Sequence, residues 1–138
     1  MPESAKLITR RSAVKGVAGA SVLAGISIPN VHAQANEEVK LALIGCGGRG
    51  TGAVKNALSV SGTLGPVKLY AMADVFDENL TRSHEVLMKD PVLSEHIDVP
   101  QERQFIGFDG YRKAMDAMNP GDIAILTTPC AFRWPMFE

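Results

Sequence analysis

The residues with the clearest chemical capacity lie in one short turn, Gly45-Cys46-Gly47-Gly48-Arg49-Gly50, and at Asp74, 24 positions beyond its last glycine. The turn has the spacing G-x-G-x-x-G. It follows the apolar run Val39-Lys40-Leu41-Ala42-Leu43-Ile44 and precedes a helical pattern. In that context each glycine has a physical task. Gly45 permits the tight turn out of a strand, Gly47 lets the backbone approach a diphosphate, and Gly50 lets a helix pack closely on the strand. The helix N-terminus then offers unpaired N–H groups and the positive end of its dipole to an anion. An acid about 20 positions further on, at the tip of the second strand, accepts the hydroxyls of a ribose. Asp74 stands at that place. Its charge repels a 2′-phosphate, which favours NAD over NADP. The competing structural reading is a helix N-cap, a role for which Asp77 is the rival candidate. Arg49 reads equally as a phosphate contact or as a solvated charge on the first helical turn.

The elements that must position these groups follow from periodicity. Val39–Ile44 is predicted as a buried strand. Thr51–Val60 is predicted as a helix, with Ala53, Val54, Ala57 and Leu58 at helical spacing. Ser61 to Pro66 is a turn-rich stop. Val67–Ala73 reads as a second strand, with Val67, Leu69, Ala71 and Ala73 alternating with Lys68, Tyr70 and Met72. Val75 and Phe76 would border the adenine, although Phe76 is equally assignable to the core. Asp77–Lys89 is predicted as a helix facing inward through Leu80, Val86 and Leu87. Asp90–Arg103 reads as a polar connection and Gln104–Phe108 as a third strand. Asp109 then caps a helix with Tyr111, Ala114, Met115 and Met118 on one face, a stripe of the kind that fills cores. Asn119-Pro120-Gly121 ends it. Ile123–Leu126 is predicted as a parallel strand buried on both faces, closed by Thr127-Thr128-Pro129. Strands and helices alternate, so right-handed crossovers predict a Rossmann-type α/β fold. It is a doubly wound parallel sheet with strand order 3-2-1-4, truncated after about four strands. The first and fourth strands then flank one crevice at their carboxyl ends.

Composition narrows the classes. The chain has 138 residues, 46% hydrophobic and 21% charged, with a formal net charge of −1. This length holds one domain at most, and the charge balance gives no basic surface for nucleic acid and no acidic tail. Two distant cysteines form neither a disulfide framework nor a zinc pattern. Cys46 and Cys130 follow adjacent predicted strands, but strict disulfide geometry favours separate thiols. His84 and His96 have no partner at metal-ligand spacing, so no metal site is assigned. Residues 1–35 resemble a twin-arginine (Tat) signal peptide. Thr9-Arg10-Arg11-Ser12-Ala13-Val14-Lys15 precedes the Gly/Ala-rich run Gly16 to Ile28, Pro29 breaks it, and Ala33-Gln34-Ala35 supplies small residues for cleavage. The plainer reading of this stretch is an amphipathic helix. Its removal takes four bases and one acid from totals of 14 and 15, leaving a net charge of −4. The expectation is a chain exported to the periplasm, with its cofactor loaded before export and no membrane span after cleavage.

Four segments together resemble the Gfo/Idh/MocA family of oxidoreductases: LALIGCGGRGTGAV, AMADVFDENL, FDGYRKAMDAM and DIAILTTPCAFR. The resemblance covers roughly residues 38–138 and identifies 36–138 as a partial dinucleotide-binding domain. It implies NAD(P)-dependent hydride transfer to or from a sugar, polyol or related carbohydrate. Carried over by position, Gly45, Cys46, Gly47, Gly48, Arg49 and Gly50 match the phosphate-binding turn, and Asp74 matches the ribose-binding position. Thr127, Thr128 and Pro129 match the segment passing the inner ribose and nicotinamide. Where many members carry an Asn-x-x-His-like run, this chain has Cys130-Ala131-Phe132-Arg133-Trp134, and Arg133 reads as an anion contact or a helix-surface charge. The family's Glu-Lys-Pro segment and substrate domain find no match, so no catalytic residue is assigned. The expectation is the front part of a longer enzyme, with little turnover alone and a homo-oligomer open for the full-length form. Two alternatives stand beside it: a nucleotide-binding module without chemistry, and the front of an NAD-dependent glycoside hydrolase of the same family.

Overall fold

A computed structural model describes residues 38–61 and 65–137. The signal-peptide reading over 1–35 lies outside the described residues. Four parallel strands form one sheet in the order β3-β2-β1-β4, as expected from the alternation of elements. They are β1 (Val39–Ile44), β2 (Val67–Asp74), β3 (Gln104–Ile106) and β4 (Ile123–Leu126). The helices are α1 (Gly48–Leu58), α2 (Asp77–Met88), α3 (Pro91–Ser94) and α4 (Gly110–Asp116).

β1 lies at the centre and is apolar on both faces because both are covered. Leu41 and Leu43 join Val54 and Leu58 of α1 and Leu80 and Leu87 of α2 in one cluster. Ala42 and Ile44 face the opposite cluster, around Ala114 of α4. Tyr111, Met115 and Met118 pack against that second cluster, so the methionine stripe fills core space. Complete burial of each leucine contributes about 1.5–3 kcal/mol. A parallel strand buried on two sides needs such a continuous apolar run.

Several elements depart from the sequence expectation. The simple alternation of β2 is interrupted: Leu41 pairs with Leu69 but Ala42 pairs with Ala71, leaving Tyr70 as an extra residue. A bulge of this kind changes which face follows. Leu69 and Met72 therefore share one core cluster, while Ala71 and Ala73 enter the other. The extra ring lies between cations, with Lys40 Nζ 4.3 Å and Arg103 Cζ 3.8 Å from its centroid. On α2, Ser83 takes the inward position expected of Val86, which is exposed. The Ser83 hydroxyl lies 2.7 Å from Thr51 Oγ1 of α1, so a polar pair joins the two helices.

The connection after α2 is more than a polar loop. Asp90 Oδ1 caps α3 by accepting from Val92 N and Leu93 N, and Pro91 occupies the first turn. Leu93 and Val99 are buried in the core. β3 ends at Ile106 because Gly107 turns the chain with φ +106°. α1 starts at Gly48, inside the glycine turn, and ends at Leu58. β4 is a correction: Ile123 and Ala124 are exposed, since only β1 pairs with this strand among the described residues.

Candidate functional site

The glycine turn has the geometry its residue types demand. Gly45 adopts φ +95°, a conformation that side-chain-bearing residues rarely take. At Gly50 an added Cβ would overlap the Gly45 carbonyl oxygen and lie 2.7 Å from Thr127 Oγ1, so α1 meets β1 through bare backbone. At Gly47 and Gly48 an added Cβ would meet nothing within 4 Å. The space beside these two residues is open.

Gly47 is the N-cap of α1 and no side chain caps the helix. The first intrahelical bond runs from Thr51 N to Gly47 O at 3.0 Å. The preceding amides have no intrahelical acceptor, and the first turn carries no acid. The N-terminus of an 11-residue helix thus presents donors and a positive dipole end, with no acid of its own first turn to meet them.

Asp74, the last residue of β2, completes the arrangement. Its Oδ2 accepts from Cys46 N at 2.6 Å, and its Oδ1 accepts from Phe76 N at 2.8 Å. The first bond ties the carboxylate to the glycine turn; the second forms a local turn into α2. A carboxylate has about four lone-pair positions, so acceptor capacity remains. Asp74 is not the N-cap of α2, which is Phe76, and Asp77 is the first helical residue. Phe76 is 63% exposed and so is not core.

β4 supplies the opposite wall. Thr127 Oγ1 donates to Gly45 O at 2.6 Å and lies 3.3 Å from Ile44 O. Thr127 N donates to Ile44 O at 2.9 Å, continuing the β1–β4 pairing. The hydroxyl therefore pins the tight turn in place. Arg133, which sequence left between two roles, uses Nε to donate to Thr128 O at 2.8 Å and so braces this segment.

Gly45, Gly47, Asp74, Thr127, Thr128 and Pro129 line one cleft of about 670 Å³ at the carboxyl ends of the strands. Gly48 and Cys46 line a neighbouring groove between α1 and α2. Gly50 is buried, and Arg49 is exposed and lines neither space. The second groove includes Lys55 and Arg82, cations that no motif singled out. They converge only because α1 and α2 pack side by side.

Cys46 turns its thiol inward, toward Ala73 O at 3.4 Å. Burial, with the Asp74 charge adding to it, pushes this thiol up to about 12. Cys46 and Cys130 are both free, the first buried and the second exposed. Asp109 is the backbone N-cap of α4, but its side chain makes no capping bond and instead pairs with Lys113 at 2.9 Å. That ammonium holds the Asp109 carboxyl below the usual range. Among the described residues, no group of three or more His, Cys, Asp or Glu forms a metal site. No helix among them is long and apolar enough to cross a membrane.

Sheet order, glycine turn and cleft together define a small Rossmann-type domain, the architecture of nucleotide-binding modules and of NAD(P)-binding oxidoreductases in general. No family model, curated protein or solved structure matches the chain.

Proposed function

We propose that the cleft binds NAD and that residues 36–138 are the cofactor-binding part of an exported oxidoreductase of the Gfo/Idh/MocA type. The substrate class is a sugar, polyol or related carbohydrate, by resemblance of the four segments quoted above. The observation that carries the reading is the 2.6 Å bond from Cys46 N to Asp74 Oδ2, which holds a ribose acceptor beside a diphosphate turn. The residues fit the cofactor: the space beside Gly47 and Gly48, where a Cβ would stand, is open, and the Asp74 carboxylate has unused acceptor positions.

The chain's own residues divide the work. Gly47 and Gly48, with the start of α1, hold the diphosphate, while Arg49 stands exposed on the first helical turn. Asp74 orients the adenosine ribose and disfavours a 2′-phosphate through charge repulsion. Thr127 keeps the turn shaped by its bond to Gly45 O. Thr128 and Pro129 border the inner ribose and nicotinamide. Nicotinamide, when bound, supplies hydride acceptance and donation; the protein supplies orientation.

Calorimetric titration of the purified chain with NAD and NADP tests this. NAD is expected to bind more tightly than NADP. Asp74→Ala is expected to weaken NAD by about 10- to 100-fold, the equivalent of about 1.4–2.8 kcal/mol for lost charged hydrogen bonds. Undetectable NAD binding, or affinity unchanged in the variant, would end the assignment.

A further inference from the structure

Beyond Pro129 the chain returns to the cleft that β1 and β4 open. Cys130–Phe132 and Trp134–Met136 are single 3-10 turns, and neither buries a residue. Phe132, Pro135 and Met136 nevertheless line the cleft together with Thr128 and Pro129. Met136 also packs against the core cluster that contains Ile44 and Ala73, and both of those residues line the cleft as well. Its thioether thus stands between that core and the cleft. Thr128, placed at the inner ribose above, is engaged by this segment through two polar groups. Its Oγ1 donates to Met136 Sδ at 3.6 Å, and its carbonyl accepts from Arg133 Nε at 2.8 Å. The ties holding the far end of the segment are slight. A thioether is a weak acceptor. The Tyr111 hydroxyl reaches Pro135 O at 3.2 Å, longer than an ordinary O–H···O bond. A segment with few buried contacts and few bonds opens at low free-energy cost.

We propose that Met136 is an internal plug at the inner-ribose end of the cleft, displaced when a complete dinucleotide enters. This rests on the NAD reading above. Plug and ligand compete for one hydroxyl, that of Thr128, and a ribose oxygen is a better acceptor than a thioether. The adenosine half and the diphosphate use Asp74 and the glycine turn. Among the described residues, no side chain of Cys130–Met136 is hydrogen-bonded to either. A ligand that ends at the diphosphate therefore binds with the plug in place, whereas the full dinucleotide must open it. The apparent affinity for the full dinucleotide is lowered by the fraction of chains in the open state. The segment thus moves only for a ligand long enough to reach Thr128.

The test pairs calorimetric titration of the full chain with NMR of isotopically labelled methionine methyl groups, using NAD and ADP as ligands. Met136→Ala is expected to tighten NAD by about two- to tenfold, the factor that one net hydrogen bond commands, and to leave ADP unchanged. Tyr111→Phe frees the Pro135 carbonyl and is expected to act in the same direction with Met136 still present. In the wild-type chain, saturating NAD moves the Met136 methyl signal to the position of an unpacked methionine, and saturating ADP leaves it in place. If NAD binds but Met136→Ala weakens it or leaves it unchanged, Met136 is a wall of the site, the plug is overturned and the NAD reading stands. A Met136 methyl that bound NAD fails to displace has the same consequence. If the wild-type chain binds neither NAD nor ADP, both readings fall together.

Discussion

Substituting alanine at two glycines of one helix yields opposite predictions. Alanine exceeds glycine in a helix interior by about 0.8–1 kcal/mol, because glycine loses more backbone entropy on folding. Gly52 lies on α1 with nothing within 4 Å of an added Cβ, so Gly52→Ala is expected to stabilise the domain by about 0.5–1 kcal/mol. Gly50 sits two residues earlier on the same helix. There the added carbon would overlap Gly45 O and lie 2.7 Å from Thr127 Oγ1. A carbonyl oxygen at the end of β1 cannot rotate aside as a side chain does. The helix must move off the strand, and overpacking of this kind costs about 1–3 kcal/mol, occasionally more. The helix-propensity gain offsets part of that, leaving Gly50→Ala about 0–2 kcal/mol less stable than wild type and roughly 0.5–3 below Gly52→Ala. Urea denaturation followed by circular dichroism measures the difference as a shift in midpoint at constant slope. Gly50→Ala with a midpoint at or above that of Gly52→Ala would refute the close approach of α1 and β1 on which the glycine turn depends.

Other measurements follow from the same site. Thr127→Val removes the hydroxyl that donates to Gly45 O and is expected to cost about 1–2 kcal/mol in urea unfolding, with Thr127→Ser retaining most of it. Asp74→Asn removes charge but keeps an acceptor, so the preference for NAD over NADP is expected to narrow; an unchanged ratio would detach cofactor choice from this carboxylate. A thiol reagent at pH 8 is expected to modify Cys130 in the native chain and Cys46 only after denaturation. The Cys46 thiol, raised to about 12 in the folded state from an ordinary value near 9, stays protonated where the unfolded chain ionises. Its contribution to stability is therefore complete below pH 9 and falls between about pH 9 and 12, by at most about 1.4 kcal/mol per pH unit. A Cys46→Ala variant should show a flatter alkaline limb, and an identical one would remove Cys46 as the cause.

Local patterning alone determined the order of elements, the parallel sheet and the placement of the glycine turn before a helix. These depend on near neighbours: apolar runs, helical spacing, and glycines where a side chain would obstruct. From them followed the strand order and the crevice between β1 and β4, because right-handed crossovers leave few alternatives. Tertiary packing decided what no window of residues contains. The bulge at Tyr70 moved Met72 into the core, since pairing with β1 sets the register. Ser83 rather than Val86 faces inward because Thr51 of α1 stands opposite. Ile123 is 50% exposed because a strand's burial depends on what lies beyond it. The fingerprint placed Asp74 at the strand tip, but only the fold brought its carboxylate onto the Cys46 amide, and Thr127 onto Gly45. Such contacts join residues 28 and 82 positions apart. Their formation depends on the summed geometry of every element between, which residue type and spacing do not encode singly.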